Sequence, residues 1–185
     1  SSRKWLSPIV GAMKDGKAIE MTYQSYTRIE PNTFTAHPYC LKLFRQRWYL
    51  LARSGNHDHP RIYSLDRILN VEELDMPADI PDDFDAGECF SRYFGIILNQ
   101  DIPIETVELK VDADQVMYFR SLPLHSSQTE TETNEKYSVF QYRLAPTFDF
   151  KQEILSHGQS VEVLSPETLR NELHAEIKTM LQRYD

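Results

Sequence analysis

The sequence predicts an α+β protein in two parts. A small, strongly bent sheet or barrel of the Sm or SH3 type follows one helix, and a ferredoxin-like βαββαβ extension ends in a C-terminal helix. Three observations carry this. Trp5, Leu6, Ile9, Val10 and Met13 fall at helical spacing. Five short runs with strand character then occur within about fifty residues. After Pro103 the periods read strand, helix, strand, strand, helix, strand. With 185 residues, 41% hydrophobic and 26% charged, the chain can build one large domain or two small ones.

The elements follow in order. The first helix, over residues 4–14, stops at Asp15-Gly16. Ile19, Met21 and Tyr23 alternate with polar or small neighbours as a half-buried strand, and 33–37 does likewise after Pro31-Asn32. Residues 39–44 and 47–53 form a hairpin about Arg45-Gln46. Residues 54–60 have loop chemistry, and 61–64 is a fifth strand. The stretch 75–85, acidic and punctuated by Pro77 and Pro81, reads as a linker. Phe84, Phe90, Tyr93, Phe94 and Ile97 then give a helical apolar face running to Leu98. The extension comprises a strand over 107–111, a helix over 112–121 capped by Asp112, a strand over 122–128, a polar hairpin loop over 129–135, a strand over 137–144, a helix over 149–157 stopped by Gly158, and a strand over 161–164. The final helix starts with Pro166 in its first turn behind a Ser165 cap. Its apolar side, Leu169, Leu173, Ile177, Met180, Leu181 and Tyr184, is larger than a surface cap requires, which points to a partner. The domain reading is therefore 1–76 for helix and barrel, 77–103 for linker and connecting helix, and 104–185 for the extension.

Net charge is −8, against the indiscriminate nucleic-acid adhesion of a basic protein. Yet between His37 and Arg67 six basic residues face only Asp58 and Asp66, a local +4, so the remainder carries −12. Ten acids and one base, Arg92, lie between Glu72 and Glu105. The longest uncharged apolar run, around 48–52, is too short to span a bilayer, and the start has no signal-peptide layout. Two distant cysteines, Cys40 and Cys89, make no disulfide framework, and a reducing cytoplasm fits them. The absence of an initiator Met leads us to expect a further domain upstream.

Enzymatic motifs are scarce: there is no glycine-rich phosphate loop, Gly-x-Ser-x-Gly or His-Glu-x-x-His. His57-Asp58-His59 sits in a loop, where adjacent ligands rarely converge alone on a metal. The acids from Asp79 to Asp85 read as a solvated linker and Cys40 as a small core residue. No enzyme, metal or cofactor is expected. The strand 47–53 is different. Arg47, Tyr49, Leu51 and Arg53 share one face, and Arg61, Tyr63, Leu65 and Arg67 repeat the order basic, aromatic, apolar, basic. Guanidiniums around a phenol clamp phosphate while the ring stacks on a base or sugar. Equally, these arginines pair with Asp58, Asp66 or the acidic linker, and the tyrosines complete a barrel.

Four blocks, Ile19 to Tyr23, His37 to Lys42, Arg47 to Arg53 with its Trp48-Tyr49-Leu50 triplet, and Tyr63 to Ile68, resemble in order and spacing the WYL domain, covering roughly residues 17–75. The remainder, from Phe94-Gly95-Ile96 through the 161–166 junction to Tyr184, resembles the C-terminal extension that often follows it. The resemblance implies an Sm-like ligand-sensing barrel, usually downstream of a winged or helix-turn-helix DNA-binding domain in bacterial transcription factors. It also implies ligand contacts at Tyr23, His37, Tyr39, Lys42, Tyr49, Arg53 and Arg67. Where many relatives carry Arg before the Pro of the second block, this chain has Thr35-Ala36-His37, leaving one anion contact to a titratable side chain. Residues 1–16 hold one helix, whereas a DNA-reading helix pair needs two. The expected function is the ligand-sensing and oligomerisation region of a transcriptional regulator. It would bind single-stranded nucleic acid or a nucleotide-like anion, act on DNA through the upstream domain, and form a homodimer away from membranes. The alternative is a purely structural dimerisation module with internally paired arginines.

Overall fold

In the computed structural model, which describes residues 2–55 and 57–185, the predicted first helix is a 3-10 turn, Ser2–Trp5, running into α1, Leu6–Lys14. Ser1 of the opening segment and Asn56 of the predicted 54–60 loop lie outside the described residues. Strands β1 (Lys17–Tyr23), β2 (Asn32–Phe44), β3 (Arg47–Ser54), β4 (Arg61–Ser64) and β5 (Ile68–Pro77) build one antiparallel sheet in the order β4-β3-β2-β1-β5. Among the described residues β4 and β5 form no ladder with each other, so this sheet is not a closed barrel. Ile9 and Ala12 of α1 pack with Ile19, Met21, Leu50 and Leu65 in a fully buried core, and Trp5 Nε1 donates to the Ile68 carbonyl at 2.9 Å.

Two departures from the expected strands have physical causes. The runs 33–37 and 39–44 are one long strand, because the irregularity between Pro38 and Cys40 is a bulge in β2 rather than a break. β5 extends through residues read as the start of a linker. Its inward residues Ile68 and Val71 are three apart, a spacing that hides a strand whose pairing with β1 is itself interrupted by register shifts. The Arg45-Gln46 turn is as expected, both residues adopting the left-handed conformation of a two-residue hairpin (φ +47° and +65°).

A second compact unit, Phe90–Asp185, follows the first, Ser1–Cys89; residues 77–103 divide between them. The short helix α2, Ala86–Ser91, precedes β6 (Glu105–Asp112), α3 (Ala113–Ser121), β7 (Thr129–Thr133), β8 (Tyr137–Leu144), α4 (Phe148–Ser156), β9 (Val161–Ser165) and α5 (Glu167–Leu181). The second sheet is antiparallel in the order β7-β8-β6-β9. Phe140, Tyr142 and Leu144, alternate residues of β8, point inward onto Leu109, Phe150 and Leu169. The architecture is thus α+β, with two antiparallel sheets and five α-helices among the described residues.

Here too local signals mislead at particular places. Residues 122–128 are not a strand. β7 lies instead in the polar run read as a hairpin loop, where β-branched threonines make an exposed edge and Glu130 accepts two bonds from Arg120 at 2.6 and 2.8 Å. The helix expected up to Leu98 stops at Ser91, because the Ile96 and Ile97 amides donate to Asp149 Oδ2 at 3.0 and 3.2 Å. α5 begins behind Pro166 rather than Ser165, and neither Asp112 nor Pro166 makes a side-chain cap bond.

Asp149 deserves its burial. Beyond those two amides it accepts Thr147 Oγ1 at 2.6 Å and the Phe150 amide at 3.1 Å, so a 7%-exposed carboxylate is satisfied by four donors. Asp149→Ala leaves those donors unmet and is expected to cost the second unit about 3 kcal/mol. Asp112→Ala, losing a cap without a bond, should cost under about 0.5 kcal/mol. Urea unfolding followed by circular dichroism and by hydrogen exchange of β6 and β8 distinguishes the two.

Candidate functional site

The first unit holds a cleft of about 580 Å³ where the loop after β1 meets β4 and the turn after it. Gln24 shapes that loop: its amide donates to the Arg67 carbonyl at 3.0 Å, while its side-chain nitrogen donates to the Arg28 carbonyl at 2.7 Å. The Ser25 and Thr27 hydroxyls bond each other at 2.8 Å. Arg28, Arg61 and Arg67 bring three guanidiniums to the cleft, His57 adds an imidazole, and no carboxylate lines it among the described residues.

The floor is aromatic. Tyr23 and Tyr63 meet edge to face at 5.1 Å, and Phe34 lies 5.5 Å from Tyr63. The Tyr23 hydroxyl accepts the Ser64 amide at 3.2 Å, which fixes the ring. The Arg67 guanidinium spreads over Tyr23 at 5.1 Å and Tyr26 at 4.3 Å. Burial raises both phenols above their ordinary value, with Arg67 opposing at Tyr23 and a Ser54 hydrogen bond followed by Arg61 opposing at Tyr63. They therefore remain neutral hydrogen-bonding and stacking groups. Guanidiniums beside aromatic rings are the chemistry that suits an anion carrying a planar group.

The seven residues implied by the family resemblance do not all meet here. Tyr23 and Arg67 line the cleft. His37 and Arg53, opposite each other in the β2–β3 register, hold Asp79 instead. The Asp79 amide donates to His37 Nδ1 at 2.9 Å, and Arg53 Nη2 donates to Asp79 Oδ2 at 2.6 Å. Tyr39 packs edge-on against Phe84 at 4.9 Å. Lys42 and Tyr49 are paired further along the hairpin, and Arg47 lies 3.7 Å from Asp66. The expectation that Arg47, Tyr49, Leu51 and Arg53 present one open face is modified, since Leu51 is fully buried. Arg28 and His57 were not singled out as ligand contacts by sequence. Arg61 appeared only as part of the repeated order, and the one available signal for the other two was their lying in polar turns beside strands of the barrel blocks.

Elsewhere, no group of three or more His, Cys, Asp or Glu side chains among the described residues could hold a metal, and no described helix is long and apolar enough to cross a membrane. Burial pushes the Cys40 thiol up to about 11, with Cys89 adding to the shift and Lys42 opposing it, so Cys40 is protonated at neutral pH.

A basic, aromatic-floored cleft in the first unit suits a regulatory sensing domain. Comparison with protein-family models agrees: residues 4–73 match the WYL domain and residues 103–181 the WCX domain, and the chain belongs to the WYL-domain family. Domains of these two kinds are found in regulators, which points away from an enzyme. Among solved structures, a CRISPR Cas-related protein shares the fold with a TM-score of 0.55 at 15% identity over 99% of this chain. Proteasome accessory factor B/C of Arthrobacter aurescens matches over the whole chain at 20% identity and a TM-score of 0.40. This chain spans 52% and 27% of those two proteins. No curated protein matches.

The geometry at His37 has a pH consequence. An Nδ1 that accepts an amide proton is unprotonated, and burial followed by Arg53 lowers the His37 pKa against the opposing pull of Asp79. The folded state therefore binds this proton less readily than the unfolded state. Its stabilisation is fully present above about pH 6.5, the ordinary imidazole value, and is lost as pH falls through the lowered folded value. Urea midpoints of the first unit should fall between pH 7.5 and 5.5, and His37→Gln should flatten that fall; a flat wild-type response would refute it.

Proposed function

We propose that this chain is the ligand-sensing and oligomerisation region of a bacterial transcriptional regulator. Its first unit, read as an Sm-like SH3-type barrel left open between β4 and β5, would bind a phosphate-bearing ligand, single-stranded nucleic acid or a nucleotide. The observation that carries this reading is the cleft lined by Arg28, Arg61 and Arg67 together with Tyr23 and Tyr63, with no carboxylate among its described lining residues. Guanidiniums take phosphate oxygens bidentately, and a base or sugar stacks on the exposed part of the aromatic wall. Of the residues expected from the family, Tyr23 and Arg67 act in this cleft; Tyr49 and Lys42 extend a ligand track along the hairpin. The second unit, whose strand order is that of a ferredoxin-like sheet, serves oligomerisation as a homodimer, with DNA contacted through a domain upstream. The domain borders are read as 1–76, 77–103 and 104–185, and the setting as cytoplasmic. Ligand binding shifts the regulator only by preferring one of its arrangements over another.

A second reading, a structural dimerisation module with no ligand, is favoured by one observation: Arg53, a candidate phosphate contact, is already engaged by Asp79 at 2.6 Å. Salt dependence separates the two. Fluorescence anisotropy with short labelled single-stranded DNA and RNA should show binding that weakens steeply between about 50 and 200 mM salt, as phosphate neutralisation requires. Arg28→Ala, Arg61→Ala and Arg67→Ala should each weaken it by roughly tenfold or more, a charge-assisted hydrogen bond being worth about 1.5–3 kcal/mol. Absence of binding by the wild type to oligonucleotides and to mononucleotides would leave the structural module.

A further inference from the structure

The acidic segment after β5 lies along the outer side of the β2–β3 pair, and it is held there much as a bound peptide would be. The Ala78 amide donates to the Gly16 carbonyl at 2.9 Å. One residue on, Asp79 is read twice, its amide by His37 Nδ1 at 2.9 Å and its carboxylate by Arg53 at 2.6 Å. Five residues further, the Phe84 ring meets Tyr39 edge-on at 4.9 Å. The bulge between Pro38 and Cys40 lies where these contacts gather, as bulges do where a strand must re-aim a side chain. The Asp79 side chain is 81% exposed while Arg53 is 20% exposed, so a largely sheltered guanidinium meets a carboxylate that solvent or a competitor can reach.

We infer that this face is a recognition site for an acidic peptide segment with an aspartate five residues before a phenylalanine, and that residues 78–85 occupy it in cis as an exchangeable latch. His37 takes a main-chain amide, Arg53 a carboxylate and Tyr39 an aromatic ring. This is a division between main-chain and side-chain recognition that suits an extended peptide. The site is separate from the Arg28, Arg61 and Arg67 cleft and does not depend on a ligand there. Displacing the latch releases residues 78–85, which precede α2 in the chain. A segment of the same chemistry supplied by another molecule would therefore compete with residues 78–85 for His37, Arg53 and Tyr39.

The linkage sets how tightly the site must bind. A short tether holds the latch at an effective concentration on the order of 1 mM, so a latch closed nine-tenths of the time implies a Kd near about 0.1 mM for the same segment in trans. A labelled peptide of residues 77–86 is titrated to about ten times that value, on the same estimate. It is presented to the full chain, to an Asp79→Ala, Phe84→Ala variant with the latch weakened, and to that variant carrying Arg53→Gln as well. The weakened-latch protein should bind roughly tenfold more tightly than wild type, and Arg53→Gln should abolish the gain. A scrambled peptide of equal charge should not bind. No binding to the weakened-latch protein, or equal binding by all three, overturns the inference. Hydrogen exchange on the wild type tests it without a variant. Amides of 78–85 should exchange at least tenfold faster than those of β1 to β3 yet slower than free chain, and exchange only with global unfolding refutes an exchangeable latch. Oligonucleotide binding by wild type reports on the cleft alone, so failure of either reading is seen separately.

Discussion

The register of the β2–β3 hairpin decides where the candidate binding residues of those two strands go. Two left-handed residues, Arg45 and Gln46, set it, pairing Leu41 with Leu50 and Lys42 with Tyr49. Leu50 and Ala52 then point into the core with Ile19 and Met21, which sends Leu51 and Arg53 to the opposite face. A slip of one residue would reverse both sets. Beyond Leu41 the bulge resets the alternation, so that Pro38 pairs with Ala52 while His37 faces Arg53. Core packing and anion chemistry are thus two consequences of one ladder.

The basic residues on and off that ladder meet different partners. Arg53 and His37 are spent on the chain's own aspartate, whereas Arg67, though it shares the order of residues around Arg53, rises from the 3-10 turn Leu65–Arg67 and spreads over Tyr23 and Tyr26. The difference is one of surroundings rather than residue type. Beside Arg53 the chain supplies a carboxylate; around the cleft it supplies rings, hydroxyls and two more guanidiniums. Like charges gathered without a counter-charge repel, and a bound anion relieves that repulsion. The local excess of +4 in a chain of −8 is therefore partly cancelled at Arg53 and left standing in the cleft.

The second unit rests on a different device. Asp149 ties the 96–97 backbone to the N-terminus of α4 through four hydrogen bonds, ending the apolar run that follows α2 as a loop rather than a helix. Its sheet buries Phe140, Tyr142 and Leu144 on one side, while α5 buries only Leu169 and Leu173 and leaves Ile177, Met180 and Leu181 about half exposed. The apolar face read from sequence is real, and its distal half is not consumed by this unit.

The sequence by itself determined most elements, because their signals are local. Helical spacing marked α1 and α5, alternation marked β1, β3, β6 and β8, and Gly16 and Gly158, both at positive φ, marked the stops. The four blocks also gave the family, since their order is written along the chain. β5, β7 and the early end of α2 were not legible. Each depends on a partner distant in sequence: β1 for β5, β8 and Arg120 for β7, and Asp149 for the 96–97 amides. The division of the arginines was decided in the same way. Arg53 and Asp79 are 26 residues apart and meet only because a bulge and a folded-back segment bring them together, while Arg28, Arg61 and Arg67 converge only when the loop after β1 closes over β4. Periodicity states which face of a strand a side chain takes; what waits on that face is set by the long-range packing of the rest of the chain.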